Sequence, residues 1–117
     1  MRQKQKREIM DKLPDFLRDI ANSSASGMTI YDSIRSASEG EYGLLTPELK
    51  MTAAQLSWGI PIEEALTNFA DRIKTNEVKR LAITINKALE IGGNTSSVFN
   101  AAAKELDQIR AVEHQRR

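Results

Sequence analysis

One short phrase recurs along this chain at a nearly constant spacing, and it limits the folds that the chain can adopt. Residues 27–34 read Gly-Met-Thr-Ile-Tyr-Asp-Ser-Ile, and residues 59–66, which begin 32 positions later, read Gly-Ile-Pro-Ile-Glu-Glu-Ala-Leu. A fainter copy, Gly-Asn-Thr-Ser-Ser-Val-Phe, begins at Gly93, 34 positions after Gly59. Each copy places a glycine, which can end a helix in the left-handed conformation, just before a residue that starts a new helix. A repeat of this length predicts stacked helix pairs.

The apolar periodicity between these turns predicts an all-α fold, a six-helix antiparallel bundle built from repeated helix pairs. The helices are expected to begin near Lys12, Thr29, Thr46, Pro61, Thr75 and Asn94 or Thr95. Pro14 lies either in the first turn of the first helix or inside a longer helix that begins in residues 1–12. The last helix is expected to continue through Val112. The fourth helix has the cleanest apolar stripe and is expected to be the central packing element: Ile62, Ala65, Leu66, Phe69, Ala70 and Ile73.

The composition excludes several classes of function. A chain of 117 residues is the size of one domain, and the absence of cysteine removes disulfides, thiolate catalysis and Cys-based metal sites. Its apolar stretches are too short to span a membrane, and its charged start is unlike a signal peptide. The net charge is near zero but unevenly distributed. Residues 1–12 carry five basic groups against two acidic ones, residues 13–66 are acidic, and residues 67–87 are basic again.

A search for catalytic and ligand-binding residues finds none. His114, the only histidine, stands in the tail with no second imidazole beside it. Glu63 and Glu64 are adjacent at a helix start, so they cannot face each other as an acid/base pair, and they instead stabilise the positive helix end. No lysine follows Gly92-Gly93 in a phosphate-loop pattern. We therefore expect no catalytic residue, metal or cofactor. Trp58 is interpreted as an anchor that packs a helix end, with an exposed partner contact as the alternative.

Five phrases stand in an order that resembles a known family. They are Leu-Pro-Asp-Phe-Leu at 13–17, Ser-Gly-Met-Thr at 26–29, Gly-Leu-Leu-Thr-Pro-Glu-Leu at 43–49, Leu-Ser-Trp-Gly-Ile-Pro-Ile-Glu-Glu-Ala-Leu at 56–66, and Gly-Gly at 92–93. This set resembles the type II secretion system F-domain family, the platform proteins of type II secretion, type IV pili and archaella. The Leu-Ser-Trp-Gly phrase is most similar to the archaeal platform proteins. The resemblance covers about residues 12–112, and Thr-Ser-Ser at 95–97 departs from it by being more polar.

The resemblance implies a cytoplasmic domain of a multi-pass cell-membrane protein. It divides the chain into a basic leader (1–12) adjoining a missing membrane span, the F-domain bundle (12–112), and a basic tail (113–117) adjoining another span. Basic flanks of this kind follow the positive-inside rule. By resemblance the domain is not an enzyme, and it couples a cytoplasmic secretion ATPase to assembly of an archaellum, type IV pilus or pseudopilus. Its other expected partners are pilin-like subunits, the membrane-embedded remainder of its own chain and, as a further candidate, a second copy.

The expected partner surface is a basic patch on an otherwise acidic bundle. It consists of Arg72, Lys74, Lys79, Arg80 and Lys87, and it is the candidate binding site for the ATPase. The residues expected to form the helix turns are Gly27, Gly59, Pro61, Glu64, Gly92 and Gly93.

Two other functions fit the same pattern. One is a stand-alone helical adaptor or oligomerisation module. The other is a helix-turn-helix DNA-binding domain with residues 61–73 as its recognition helix. The second is disfavoured because Glu63 and Glu64 would meet DNA phosphates, so no nucleic-acid partner is expected.

Overall fold

A computed structural model describes the backbone of residues 2–115 and the side chains of residues 2–109. Within those residues the fold is all-α, as predicted, with no strand. The helices are α1 (Gln3–Ala25), α2 (Ile30–Ala37), α3 (Leu45–Ser57), α4 (Ile62–Ile73), α5 (Asn76–Ile91) and α6 (Thr95–Gln115). The last helix continues through Val112, as predicted. The side chain of His114, which the sequence assigns to the tail, lies outside the described ones.

Three helices begin at the capping residues that the sequence predicts. The Thr29 hydroxyl accepts the backbone N–H of Asp32 at 3.1 Å, and the Thr75 hydroxyl accepts that of Val78 at 3.2 Å. The Asn94 side chain accepts the N–H of Ser97 at 3.0 Å, which makes it the cap of α6. Each bond satisfies a donor that the first helical turn would otherwise leave unpaired.

Two helix starts differ from the main expectation. α1 begins at Gln3 and not near Lys12, so it is the longer of the two helices that the sequence allowed, with most of the basic leader helical and Pro14 inside. The leader belongs to the bundle because Ile9 is buried in the core. α3 begins at Leu45, one residue before the expected start at Thr46, and Thr46 does not cap it. The Thr46 hydroxyl instead accepts the N–H of Tyr42 at 2.9 Å, closing the preceding loop.

The helices form a closed ring around one apolar core. Each helix packs against the next one in the chain, and α6 packs back against α1 along most of its length. The predicted stripe of α4 is buried except for Ile62, which is partly buried. The central element is nevertheless α1, because it contacts α2, α3 and α6. The prediction that α4 is central is therefore wrong.

Hydrogen bonds between distant residues show how the helix ends are grouped. The Lys6 ammonium donates to the Lys74 carbonyl at 3.4 Å, and the N–H of Leu44 donates to Glu8 at 3.2 Å. The start of α1 therefore lies beside the start of α3 and the α4–α5 connection. We call this end the leader pole. The opposite end, the turn pole, holds the three glycine turns at residues 26–29, 58–61 and 92–94.

Candidate functional site

The five cations of the predicted basic patch are not all free in the structure. Arg72 extends from the last turn of α4 back onto α3, where its Nε lies 2.7 Å from the Glu48 carboxylate. Its Nη2 donates to the Glu48 carbonyl at 3.2 Å and to the Thr52 hydroxyl at 3.1 Å. The Arg72 and Glu48 side chains are both largely shielded from solvent. The Arg72 guanidinium therefore ties α3 to α4, and its charge is neutralised within the fold.

Lys74 ends α4 in the left-handed conformation, with φ of 63°. Its N–H donates to the Ala70 carbonyl at 2.9 Å, and its own carbonyl accepts the Lys6 ammonium. The Lys74 side chain is exposed. The bend at this residue therefore presents a backbone carbonyl to Lys6 at the leader pole, and no local pattern in the sequence predicts that contact.

The other three cations share the outer face of α5. Lys79, Arg80 and Lys87 are exposed, and none of the ion pairs among the described side chains involves them. Ile83 lies between them with 55% of its surface exposed. We call the face formed by Lys79, Arg80, Ile83 and Lys87 the α5 stripe. The α5 stripe is therefore an exposed cationic helix face with one apolar side chain among its charges.

Gly27 and Gly59 adopt the predicted left-handed conformation, with φ of 101° and 90°. In the third copy the left-handed residue is Gly92, with φ of 96°, one position before the expected Gly93. Pro61 directly precedes α4, and Glu64 is exposed in its first turn. Gly93 has a different role, because a Cβ at this position would lie 2.9 Å from the Ala88 carbonyl oxygen. Gly93 thus permits the close approach that lets its N–H bond that carbonyl, also at 2.9 Å.

The interpretation of Trp58 as a buried anchor is wrong. Its side chain is 69% exposed where α3 ends. Ile91, the last residue of α5, is 86% exposed, and Met28 is also exposed. All three residues flank glycine turns at the turn pole. Helical periodicity could not have found them, because each stands at the edge of a helix or outside one.

A polar cluster joins α1 to the loop before α3, and the sequence did not reveal it. The Tyr42 hydroxyl donates to the Asp19 carboxylate, and the Tyr42 ring meets Phe16 edge-on with centroids 5.9 Å apart. Burial, and then the bond to Asp19, raises the pKa of Tyr42 well above its ordinary value. Arg18 bridges Asp15 of α1 and Asp107 of α6. These contacts join α1 to the loop before α3 and to α6, and the Tyr42 hydroxyl stays protonated.

The described residues contain neither a candidate metal site nor a membrane-spanning helix. Among them no group of three or more His, Cys, Asp and Glu side chains converges as metal ligands would. A small cavity in the core is lined by apolar side chains such as Leu17, Phe69 and Phe99, and its volume is only about 30 Å³, enough for roughly one water. Over residues 2–115, no helix combines the length and the apolar character needed to cross a bilayer.

Comparison with known proteins places the fold in context. The model of the family described as type II secretion system protein F matches residues 16–117. The chain belongs to the type II secretion system protein F family. This is a family of membrane-associated platform proteins of secretion and pilus systems, as the ordered phrases of the sequence indicated.

A relative of the chain comes from the archaeon Methanocaldococcus jannaschii. It is an uncharacterized protein that is 30% identical over 88 residues. The match covers 75% of this chain but only 15% of the relative's length. No solved structure gives a significant match. An archaeal relative is consistent with an archaeal type of platform protein.

Proposed function

We propose that this chain is the non-enzymatic cytoplasmic domain of a platform protein, and that it couples a secretion ATPase to assembly of an archaellum, type IV pilus or pseudopilus. The observation that carries the proposal is the closed ring. α1 and α6 pack side by side and antiparallel, with Arg18 paired to Asp107, so α6 runs back toward the pole where α1 begins. A domain with this geometry fits between two membrane segments of a longer chain.

We assign ATPase docking to the α5 stripe together with Lys74. Arg72 is left out because Glu48 neutralises it. The remaining cations, Lys74, Lys79, Arg80 and Lys87, are exposed and suit an acidic surface on the ATPase. Charge complementarity of this kind orients and speeds association, and it weakens as salt rises. Ile83 supplies the apolar contact that electrostatics alone lacks.

In this proposal the domain transmits motion as a rigid body and hydrolyses nothing. Nucleotide-driven movement of the ATPase would be passed through the α5 stripe to the bundle, and from there to the membrane-embedded remainder of the chain. Pilin-like subunits would then be extracted and added to the growing fibre. Residues from all six helices contribute to a single core, which supports rigid transmission.

The test is a double charge reversal, Lys79→Glu with Arg80→Glu, in the 117-residue domain. Both side chains are exposed, so the melting temperature should stay within a few degrees of the unaltered domain. Binding to the purified ATPase, measured by calorimetry at low and at moderate salt, should weaken about tenfold or more and lose most of its salt dependence.

The matched control is Arg35→Glu with Lys50→Glu, which makes the same charge change at exposed cations away from the α5 stripe. This variant should retain at least most of the affinity. Equal binding by a well-folded Lys79/Arg80 variant would remove the stripe as the docking site. Absence of any binding by the unaltered domain would remove ATPase coupling through this domain.

A further inference from the structure

The turn pole carries charge of one sign only. Its elements are residues 22–33, 54–65 and 88–98, which include the three glycine turns and the helix turns on either side of each. These segments contain four acidic residues and no lysine or arginine. The acids are Asp32, Glu63, Glu64 and Glu90; all four are exposed, and none belongs to the ion pairs found among the described side chains.

Helix dipoles explain only part of the excess of acidic over basic residues at the turn pole. α2, α4 and α6 begin at the turn pole, and acids in the first turns of α2 and α4 stabilise their positive ends. α1, α3 and α5 end at the same pole, where the dipole would favour cations, yet their last turns hold no basic residue. The helices that end away from this pole differ, since α2 and α4 carry Arg35 and Arg72 in their last turns. Basic residues are therefore missing from the turn pole where helix stability would favour them.

The same pole exposes large apolar side chains. Among the described residues the two most exposed large hydrophobics are Ile91 and Trp58, at 86% and 69%; Met28, at the first glycine turn, is less exposed, at 37%. Asn86 of α5 donates to the Glu63 carbonyl at 3.1 Å, which fixes the end of α5 beside the start of α4. Ile91, five residues beyond Asn86, extends about 7 Å further along the axis. A scattered exposed apolar residue is ordinary, but here the two most exposed ones stand at two turns of the same acidic pole, and one is a tryptophan, a residue type typical of binding sites.

We propose that the turn pole docks a second partner surface, a protein segment that places lysine or arginine side chains beside an apolar side chain. Trp58 and Ile91 would contact the apolar group, and Glu63, Glu64 and Glu90 would pair with the cations. Such a partner is opposite in charge to the one that suits the α5 stripe. The two surfaces adjoin on α5: Lys79 lies 12 residues from Ile91, about 18 Å, but Lys87 lies only four residues from it, about 6 Å.

The experiment places a photoreactive amino acid at Ser57 or Ile91 of the full-length protein in its own cells. Lys50, which is exposed on α3 away from the turn pole, serves as the control position. Irradiation should join the pole positions, and not position 50, to one protein other than this chain. The joined peptide, identified by mass spectrometry, should carry lysine or arginine next to apolar residues.

Two variants then test the chemistry of the contact. Trp58→Ala, and separately Glu63→Gln with Glu64→Gln, should each lower the cross-link at position 91 by about tenfold or more, as expected for central contacts of an interface. Both change exposed side chains, so unaltered melts of the domain confirm that the fold is intact. Because Trp58 is the only tryptophan of the chain, its emission should also shift to shorter wavelength when the identified segment is added as a synthetic peptide.

Several results would overturn the proposal. These are cross-links only to a second copy of the chain, cross-links only to lipid, cross-links no stronger than at position 50, or cross-links that both variants leave unchanged. The outcome is separable from that of the ATPase proposal. Lys79→Glu with Arg80→Glu should leave the cross-links at positions 57 and 91 intact, whatever it does to ATPase binding.

Discussion

At the scale of single residues, the left-handed backbone positions of the turn pole are all occupied by glycine, whereas those of the leader pole are occupied by Gly43 and by Lys74. Gly59 has φ of 90° and open space where a Cβ would stand. A side chain placed at Gly59 would contact no neighbouring atom, so any loss of stability on substitution comes from backbone strain alone. Lys74 adopts φ of 63° with a full side chain and already carries that strain.

This contrast predicts stability changes of opposite sign. Gly59→Ala should lower the free energy of unfolding by roughly 1 kcal/mol, because alanine tolerates positive φ poorly. Gly59→Asn should lower the free energy of unfolding by less, since asparagine adopts positive φ more readily than alanine does. Lys74→Gly should raise the free energy of unfolding by up to about 1 kcal/mol. Urea denaturation of these variants and the unaltered domain measures the changes, and a Lys74→Gly variant no more stable than the unaltered domain would show that the position is unstrained.

Tyr42 should make the folding stability of the domain fall at alkaline pH. Burial and the bond to Asp19 raise the pKa of Tyr42 in the folded state, whereas the unfolded chain loses the same proton near pH 10. The folded state therefore binds more protons above about pH 10, and stability is full below that pH and falls as pH rises beyond it. Tyr42→Phe should flatten this alkaline fall in denaturant melts. If the free energy of unfolding fell equally in the Tyr42→Phe variant and the unaltered domain between about pH 9 and 11, Tyr42 would not be the cause of the alkaline fall.

The predictions for Arg72 and Trp58 were wrong for the same reason: the surroundings of both side chains depend on how distant parts of the chain pack. Arg72 stood at a helix end, where a cation is expected to be free, but its partner Glu48 lies 24 positions away and only the packing of α3 on α4 brings the two together. Trp58 is the residue type most typical of an anchor, and only the direction of the turn decides whether it faces the core. Local pattern determines backbone conformation at the glycines well, but it does not determine the partners of long side chains.

At the scale of elements, local rules predicted most helix boundaries. The caps at Thr29 and Thr75 form the expected bonds, because an N-cap needs only its own helix. Two starts failed for tertiary reasons. Ile9 draws the leader onto the core, and Leu45 is fully buried at the start of α3, ahead of the expected cap Thr46.

The buried stripe of α4 gives a matched test of packing. Phe69 is 6% exposed and belongs to the core, whereas Ile83 of the neighbouring helix is 55% exposed. Phe69→Ala should lower the free energy of unfolding by about 3–5 kcal/mol, through lost burial and the cavity that remains. Ile83→Ala should change it by less than about 0.5 kcal/mol. A loss below about 1 kcal/mol for Phe69→Ala would show that the face can collapse around the gap.

At the scale of the whole molecule, the ring of helices has two unlike poles joined by one core. The core takes residues from every helix, and α1, the central element, contacts α2, α3 and α6. The leader pole holds Lys6 and Lys74 close together, whereas the turn pole is acidic and apolar. The proposed function requires motion received at the α5 stripe to reach the leader pole, where α1 begins, and this calls for a bundle that moves as one body.

That requirement yields a prediction about cooperativity. Because the core is continuous, the most protected amides of α1, α4 and α6 should exchange hydrogen with one common free energy, that of global unfolding. Phe99 of α6 is buried in this core, so Phe99→Ala should lower the exchange free energy of all three helices by the same amount. Native-state hydrogen exchange in low denaturant measures this. If the substitution lowered protection in α6 alone while α4 kept its original value, the bundle would consist of separable units and could not pass motion rigidly from one pole to the other.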